Sequence, residues 1–203
     1  MNLYEYGFRN VTEYNSLVLV RHARYSIEED MAIEMSDLQK LVLQTKEVDE
    51  PAIPFPQADS FERVINICEL LGARDYDRDD ITGQYAFDAR QTNYYTDAAR
   101  YLGLVNKRRV GMQTRYNLSA LGQRIQKLGY RQRQLAFCEC ILRHRVFREI
   151  FELCCEHGVV PEHDAIVEVM RRAQLYNVSS DSTYNRRAST VSGWINWMLK
   201  LLS

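Results

Sequence analysis

The chain has 203 residues, with 46% hydrophobic and 26% charged residues, enough to bury one large core or two small ones. Its formal net charge of −1 hides a split: residues 1–59 hold 11 acidic and 5 basic residues, whereas residues 87–133 hold 10 basic and 2 acidic ones. No apolar run approaches a membrane span, and Met1-Asn-Leu-Tyr-Glu-Tyr-Gly7 lacks the basic start and apolar core of a signal peptide, so a cytoplasmic location is expected.

The first fifty residues carry a strand pattern, Ser16 to Ala23, and a short amphipathic helix, Met35 to Thr45, with Ser36 or Asp37 near its start. Glu47 to Pro56 contains three prolines, which remove backbone donors and fix extended geometry, so a linker and domain boundary are expected there. Residues 1–52 form an acidic α+β segment in this reading. That segment could dock on the basic region and restrain it.

A helix is expected from Asp59, with Glu62 completing a capping box, Phe61, Val64, Ile65, Cys68 and Leu71 on its apolar face, and Gly72 at its end. A short helix follows, Asp79 to Tyr85. The next runs from Asp88, capped reciprocally with Gln91, to a stop at Gly103. Its wheel places Gln91, Tyr95, Ala98 and Leu102 inside and Arg90, Asn93, Asp97 and Arg100 outside, with Tyr94 and Ala99 flanking. Asn106 to Leu118 alternates as a hairpin turning at Gly111, with a basic tip, and Ser119 opens another helix.

From Arg131 the pattern partly repeats. A long apolar tract with a break near Arg143-His-Arg145 precedes a helix from Pro161 to Ala173, a turn through Leu175, and a final helix from Ser182 to Leu201. No second hairpin is legible after it. The predicted fold is therefore mainly α: tandem winged helix-turn-helix units at 53–130 and 131–203, one of them with a small β-hairpin wing, after the acidic segment.

A helix face of this kind suits a DNA groove. Arginine binds guanine in bidentate fashion and asparagine binds adenine, so Arg90 and Asn93, and Asn185 and Arg186 in the second unit, are the candidate base readers. Arg100, Lys107, Arg108, Arg109, Arg115, Arg187 and Thr190 are the candidate phosphate contacts. Double-stranded DNA is the partner implied by this clustering of charge. A solvated basic face, or a winged helix that binds protein instead, is the competing reading.

No cofactor is expected, and catalysis by this chain itself is the weaker expectation, its enzymatic alternative being a nuclease within residues 1–59, a segment short for such a fold. The four histidines, His22, His144, His157 and His163, have no nearby nucleophile in a triad-like pattern, and no phosphate-binding glycine loop is present. The acidic run Glu28 to Glu34 lacks the following E-x-K of a metal-dependent nuclease. Zinc could draw only on Cys154, Cys155, His157 and His163, whose spacing fits poorly. The five cysteines, odd in number and on apolar stretches, suit reduced buried thiols.

Four segments in order resemble a tandem winged-helix DNA-recognition module of bacterial restriction-modification proteins: Pro54-Phe-Pro-Gln-Ala-Asp-Ser-Phe61; Phe87-Asp-Ala-Arg-Gln91 with Tyr94-Tyr95 and Ala98-Ala-Arg-Tyr-Leu-Gly-Leu104; Tyr116-Asn-Leu-Ser-Ala-Leu-Gly122; and Arg186-Arg-Ala-Ser-Thr-Val-Ser-Gly-Trp194. The resemblance covers roughly 53–200 and implies recognition of a duplex target, with cleavage in another domain or subunit. A winged-helix transcriptional regulator, dimeric on a palindrome, is the alternative.

Overall fold

The computed structural model describes residues 32–85 and 88–202. The expected strand at 16–23, most of the acidic run at 28–34 and His22 lie outside the described residues. Within them the chain is mainly helical, with one three-stranded antiparallel sheet in the order β1-β3-β2.

Helix α1 (Met35–Gln44) opens with the Glu34 amide donating to Asp37 at 3.0 Å. Arg131 holds that end through the Ala32 carbonyl and Asp37, and Arg148 binds the Val42 and Thr45 carbonyls at the other end. Arg148 thereby satisfies carbonyls left free at the helix C-terminus, and both guanidiniums dock the segment on the helices that bear them. The described part of the acidic segment is thus held by Arg131 and Arg148, not by the basic hairpin.

The proline-rich stretch is packed against the body. Val48 donates its amide to the Arg143 carbonyl, and Phe55 is fully buried, stacked on Phe147 with centroids 5.5 Å apart. Helix α2 (Phe61–Ala73) begins two residues after the expected Asp59. Phe61 goes inward, 5.0 Å from the Trp194 ring and 4.3 Å from that of Trp197, while Asp59 accepts from the Ser60 amide instead of capping deeper into the helix. Gly72 lies inside α2, and the helix ends at an extended Arg74.

Strand β1 (Tyr76–Asp77) leads into α3 (Arg78–Tyr85) and then α4 (Ala89–Tyr101). Asp88 caps α4 with the expected Gln91 partnership, at 2.8 and 3.1 Å. At the other end Gly103 has φ +72°, with its amide on Arg100 and the Leu104 amide on Ala99, a Schellman closure that turns the chain into the sheet. The inner face of α4 differs from the expected one. Thr92 and Thr96 are buried and Gln91 is not; the Thr96 hydroxyl donates to the Thr92 carbonyl and the Thr92 hydroxyl pairs with that of Thr82.

Strands β2 (Val105–Val110) and β3 (Gln113–Leu118) form the hairpin, and Tyr76 and Asp77 of β1 add to β3 opposite Tyr116 and Arg115. Ser119 caps α5 (Ala120–Gln126). Helices α6 (Tyr130–Leu142) and α7 (Arg145–His157) break where expected, at Arg143 and His144; α8 (His163–Arg172) and α9 (Asp181–Lys200) complete the described chain. One continuous core links both halves, with Phe61, Phe137, Phe147, Trp194 and Met198 all fully buried. All five cysteines are free, four of them buried. No helix of the described residues is long and apolar enough to cross a membrane.

Candidate nucleic-acid interface

The hairpin register sorts its charges onto two faces. Residues directly opposite on paired strands share a face, and neighbours along a strand alternate. Lys107 pairs with Tyr116 and Arg109 with Thr114, whereas Arg108 pairs with Arg115 and Asn106 with Asn117. Tyr116 is buried, so the Lys107/Arg109 face is the one turned toward the body. Lys107 lies over the Tyr116 ring, 5.8 Å from its centroid.

That face meets α4. Asn93, Lys107, Thr114 and Tyr116 line one cleft of about 400 Å³, together with Met112 and Gln113 from the hairpin tip. Asp77, Arg78 and Asp79 form its far edge. Those carboxylates have their own partners: Asp77 accepts from the Asp80 amide at 2.9 Å and Asp79 pairs with Arg78 at 3.2 Å. Arg109 holds its Nε on the Gly111 carbonyl at 3.3 Å, which keeps its guanidinium at the turn.

Arg108 is on the other face, in an ion pair with Asp75. Arg115, opposite it, is half-buried, with an Nε that finds no hydrogen-bond partner among the described residues. The four hairpin cations expected to act together are therefore two pairs facing different ways.

On its other flank α4 meets α9. Gln91, Tyr94 and Tyr95 share a second cleft, about 350 Å³, with Arg186, Ser189 and Thr190 of α9 and with Gln57 and Asp59. Tyr95 is packing, as its spacing suggests, with its hydroxyl 3.4 Å from Asp59. Tyr94 is half-buried and lines the cleft. Arg186 is exposed and its Nε donates to the Ser182 carbonyl at 3.2 Å. Arg187 is half-buried, and its Nε also lacks a hydrogen-bond partner among the described residues. Burial pushes its guanidinium below the usual arginine range, and the charge of Arg186 pushes the same way while Tyr94 opposes it.

Arg90 is exposed on the first turn of α4, and Asn185 is exposed on the first turns of α9, its carbonyl 2.9 Å from His163 Nε2. Two expected contacts leave the set. Arg100 is turned along its own helix onto Asp97 at 2.6 Å, with its side chain only 23% exposed. Thr190 is 1% exposed because it shares a helix row with Trp194 and Trp197, which leaves almost none of its surface to meet a phosphate. Gln91, Tyr94 and Met112 carry no contact signal in the sequence; the cleft that α4 shares with α9 and the hairpin turn bring them into place.

Among the described residues no group of three or more His, Cys, Asp or Glu side chains could hold a metal ion. His157 and His163 each have a ring nitrogen on a backbone carbonyl, at 2.9 Å in both cases.

Residues 63–203 match DUF7226, described as a domain of unknown function, and the chain belongs to that family. No curated protein matches the chain, and no solved structure does.

Proposed function

We propose that this protein binds double-stranded DNA through the face formed by α4, the β2–β3 hairpin and the start of α9, in the manner of a winged helix-turn-helix. In this reading α3 and α4 are the helix-turn-helix, α4 enters the major groove, and the hairpin is the wing that reaches the neighbouring backbone. The observation that carries the proposal is the shared cleft of Asn93 and Lys107: an amide able to read adenine and a cation able to meet phosphate face the same space.

Arg90 and Asn93 are the proposed base readers of α4, and Asn185 and Arg186 those of α9. Lys107, Arg109 and Arg187 are the proposed phosphate contacts, with Arg115 reached only if DNA passes the other face of the hairpin. Because α4 and α9 line one cleft, the two units would read one continuous stretch rather than separated half-sites. Service as the recognition part of a restriction system, with cleavage elsewhere, is supported by the sequence resemblance alone.

The test is selection of bound sequences from a random duplex library, using the full chain. A recovered consensus that Asn93→Ala blurs at one position supports base reading. Binding without any consensus would reduce the role to sequence-independent binding. A second reading, docking of a protein, draws on the ion pairs that already occupy Arg100 and Arg108; it predicts no retention of duplex DNA even at low salt.

A further inference from the structure

The hairpin ends in an apolar point. Val110 and Gln113 are the last paired residues, so Gly111 and Met112 alone make the turn. Gly111 has φ +61° and Met112 does not share a positive φ, the pattern of a type II′ turn whose twist matches the strands it joins. Such a two-residue loop has little freedom, and it presents Met112 at the end of the hairpin. Met112 is 95% exposed, with no apolar neighbour covering it, and Val110 beside it is 48% exposed.

Its surroundings specify the chemistry of what it meets. The Arg109 guanidinium is held at the turn, and Lys107 and Met112 belong to the same cleft as Asn93. The Asp77 and Asp79 carboxylates of that cleft have partners of their own. An apolar tip with Arg109 at its turn and Lys107 farther down the same face suits a partner with an apolar interior behind an anionic surface. Duplex DNA has that structure: phosphates outside and stacked base pairs within.

We propose, on the basis of the DNA-binding reading, that Met112 is a wedge that enters the minor groove and opens a base step, bending the duplex as the protein binds. The minor groove is only ~6 Å wide, too narrow for a whole hairpin but wide enough for one unbranched side chain on a tight turn. Methionine is flexible and polarizable and can slide between bases, and apolar side chains used in this way unstack a step and kink DNA toward the major groove. Arg109, beside the turn, would meet the phosphates that flank the opened step.

The experiment uses the full chain and two 30-base-pair duplexes labelled at both ends for energy transfer, one with central TA steps and one with A-tracts, at low salt. TA steps open easily and A-tracts resist. The wild-type protein should shorten the end-to-end distance of the TA duplex and prefer it over the A-tract duplex by about tenfold. Met112→Ala should bind with an unchanged salt dependence yet leave the ends at their free-duplex distance and lose the preference; Met112→Leu should restore both. Bound wild-type protein that leaves the TA duplex straight, or Met112→Ala bending it as the wild type does, overturns the wedge while the DNA-binding reading stands. Wild-type protein that binds neither duplex overturns both.

Discussion

The indole Nε1 of Trp194 donates to the carbonyl of Ala58 at 2.6 Å inside the core, joining α9 to the segment that leads into α2. The ring is also packed against Phe61 and Phe147, with centroids 5.0 and 4.9 Å away. Trp194→Phe keeps most of that packing but leaves a buried carbonyl without its donor, at a cost of about 1–3 kcal/mol. Urea unfolding of the variant should show this loss. Because the same rings tie both halves together, a single transition is expected, and two separate ones would contradict the continuous core.

The residue directly before it, Gly193, allows the close approach. A Cβ there would stand 2.5 Å from the Asp59 carbonyl oxygen, a backbone atom that cannot swing aside. Gly193→Ala should therefore destabilise by about 1–3 kcal/mol through overpacking. Gly83 in α3 has nothing within 4 Å of an added Cβ, so Gly83→Ala should be neutral or stabilising by about 0.5–1 kcal/mol. Thermal melts of the two variants check the contrast.

A half-buried and a buried group should oppose each other in their response to pH. The Tyr101 hydroxyl donates to Glu50 at 3.0 Å, and the Tyr101 ring stacks on His144 at 4.1 Å. Burial raises Glu50 to about 7, partly offset by the Tyr101 hydrogen bond, and burial lowers His144 to about 4, with the Arg143 charge adding to that effect. The folded state thus prefers Glu50 protonated, and its share of stability is lost as pH rises from about 4.5 to 7. The folded state prefers His144 neutral, so its share is lost as pH falls from about 6.5 to 4. In the wild type the trends offset across much of that window. Glu50→Gln, which keeps an acceptor for Tyr101, should leave stability rising with pH from 4 to 6.5. It should also exceed the wild type at pH 8. Urea midpoints measured across pH decide this; a variant profile parallel to that of the wild type would show that folding does not raise Glu50 above its ordinary carboxylate range.

The two faces of the hairpin give a sharper test of DNA contacts than charge alone. Arg109→Ala should weaken binding to all sequences alike and lower the salt slope by about one. Arg108→Ala, which removes a residue already paired with Asp75, should change that slope little. Asn93→Ala should cost about 1–3 kcal/mol on a preferred sequence and little on random DNA. Equal effects of the two arginine substitutions would mean that the faces are not distinguished by DNA.

Local signals were the legible part of this chain. Asp88 with Gln91, Ser119, Gly103 and Gly111 each fix a cap or turn within a few residues, and each has that role in the structure. Signals that depend on distant partners were not legible. Asp59 looks like a cap, but Phe61 is pulled between Trp194 and Trp197, and the helix starts later. Gln91 looks more apolar-facing than Thr92 by its position on the wheel, yet threonine hydroxyls that bond to carbonyls within their own helix, or to each other, can be buried. The positive charge of the hairpin could be counted from the sequence. Its partition could not, because Asp75 meets Arg108 across 33 residues.

Titrating duplex DNA with the full chain at several salt concentrations decides whether the face of α4, the hairpin and α9 binds DNA. Lys107, Arg109 and Arg187 as phosphate contacts together predict a plot of log affinity against log salt with a slope of roughly −3. A flat plot, or no binding at low salt, would contradict the account.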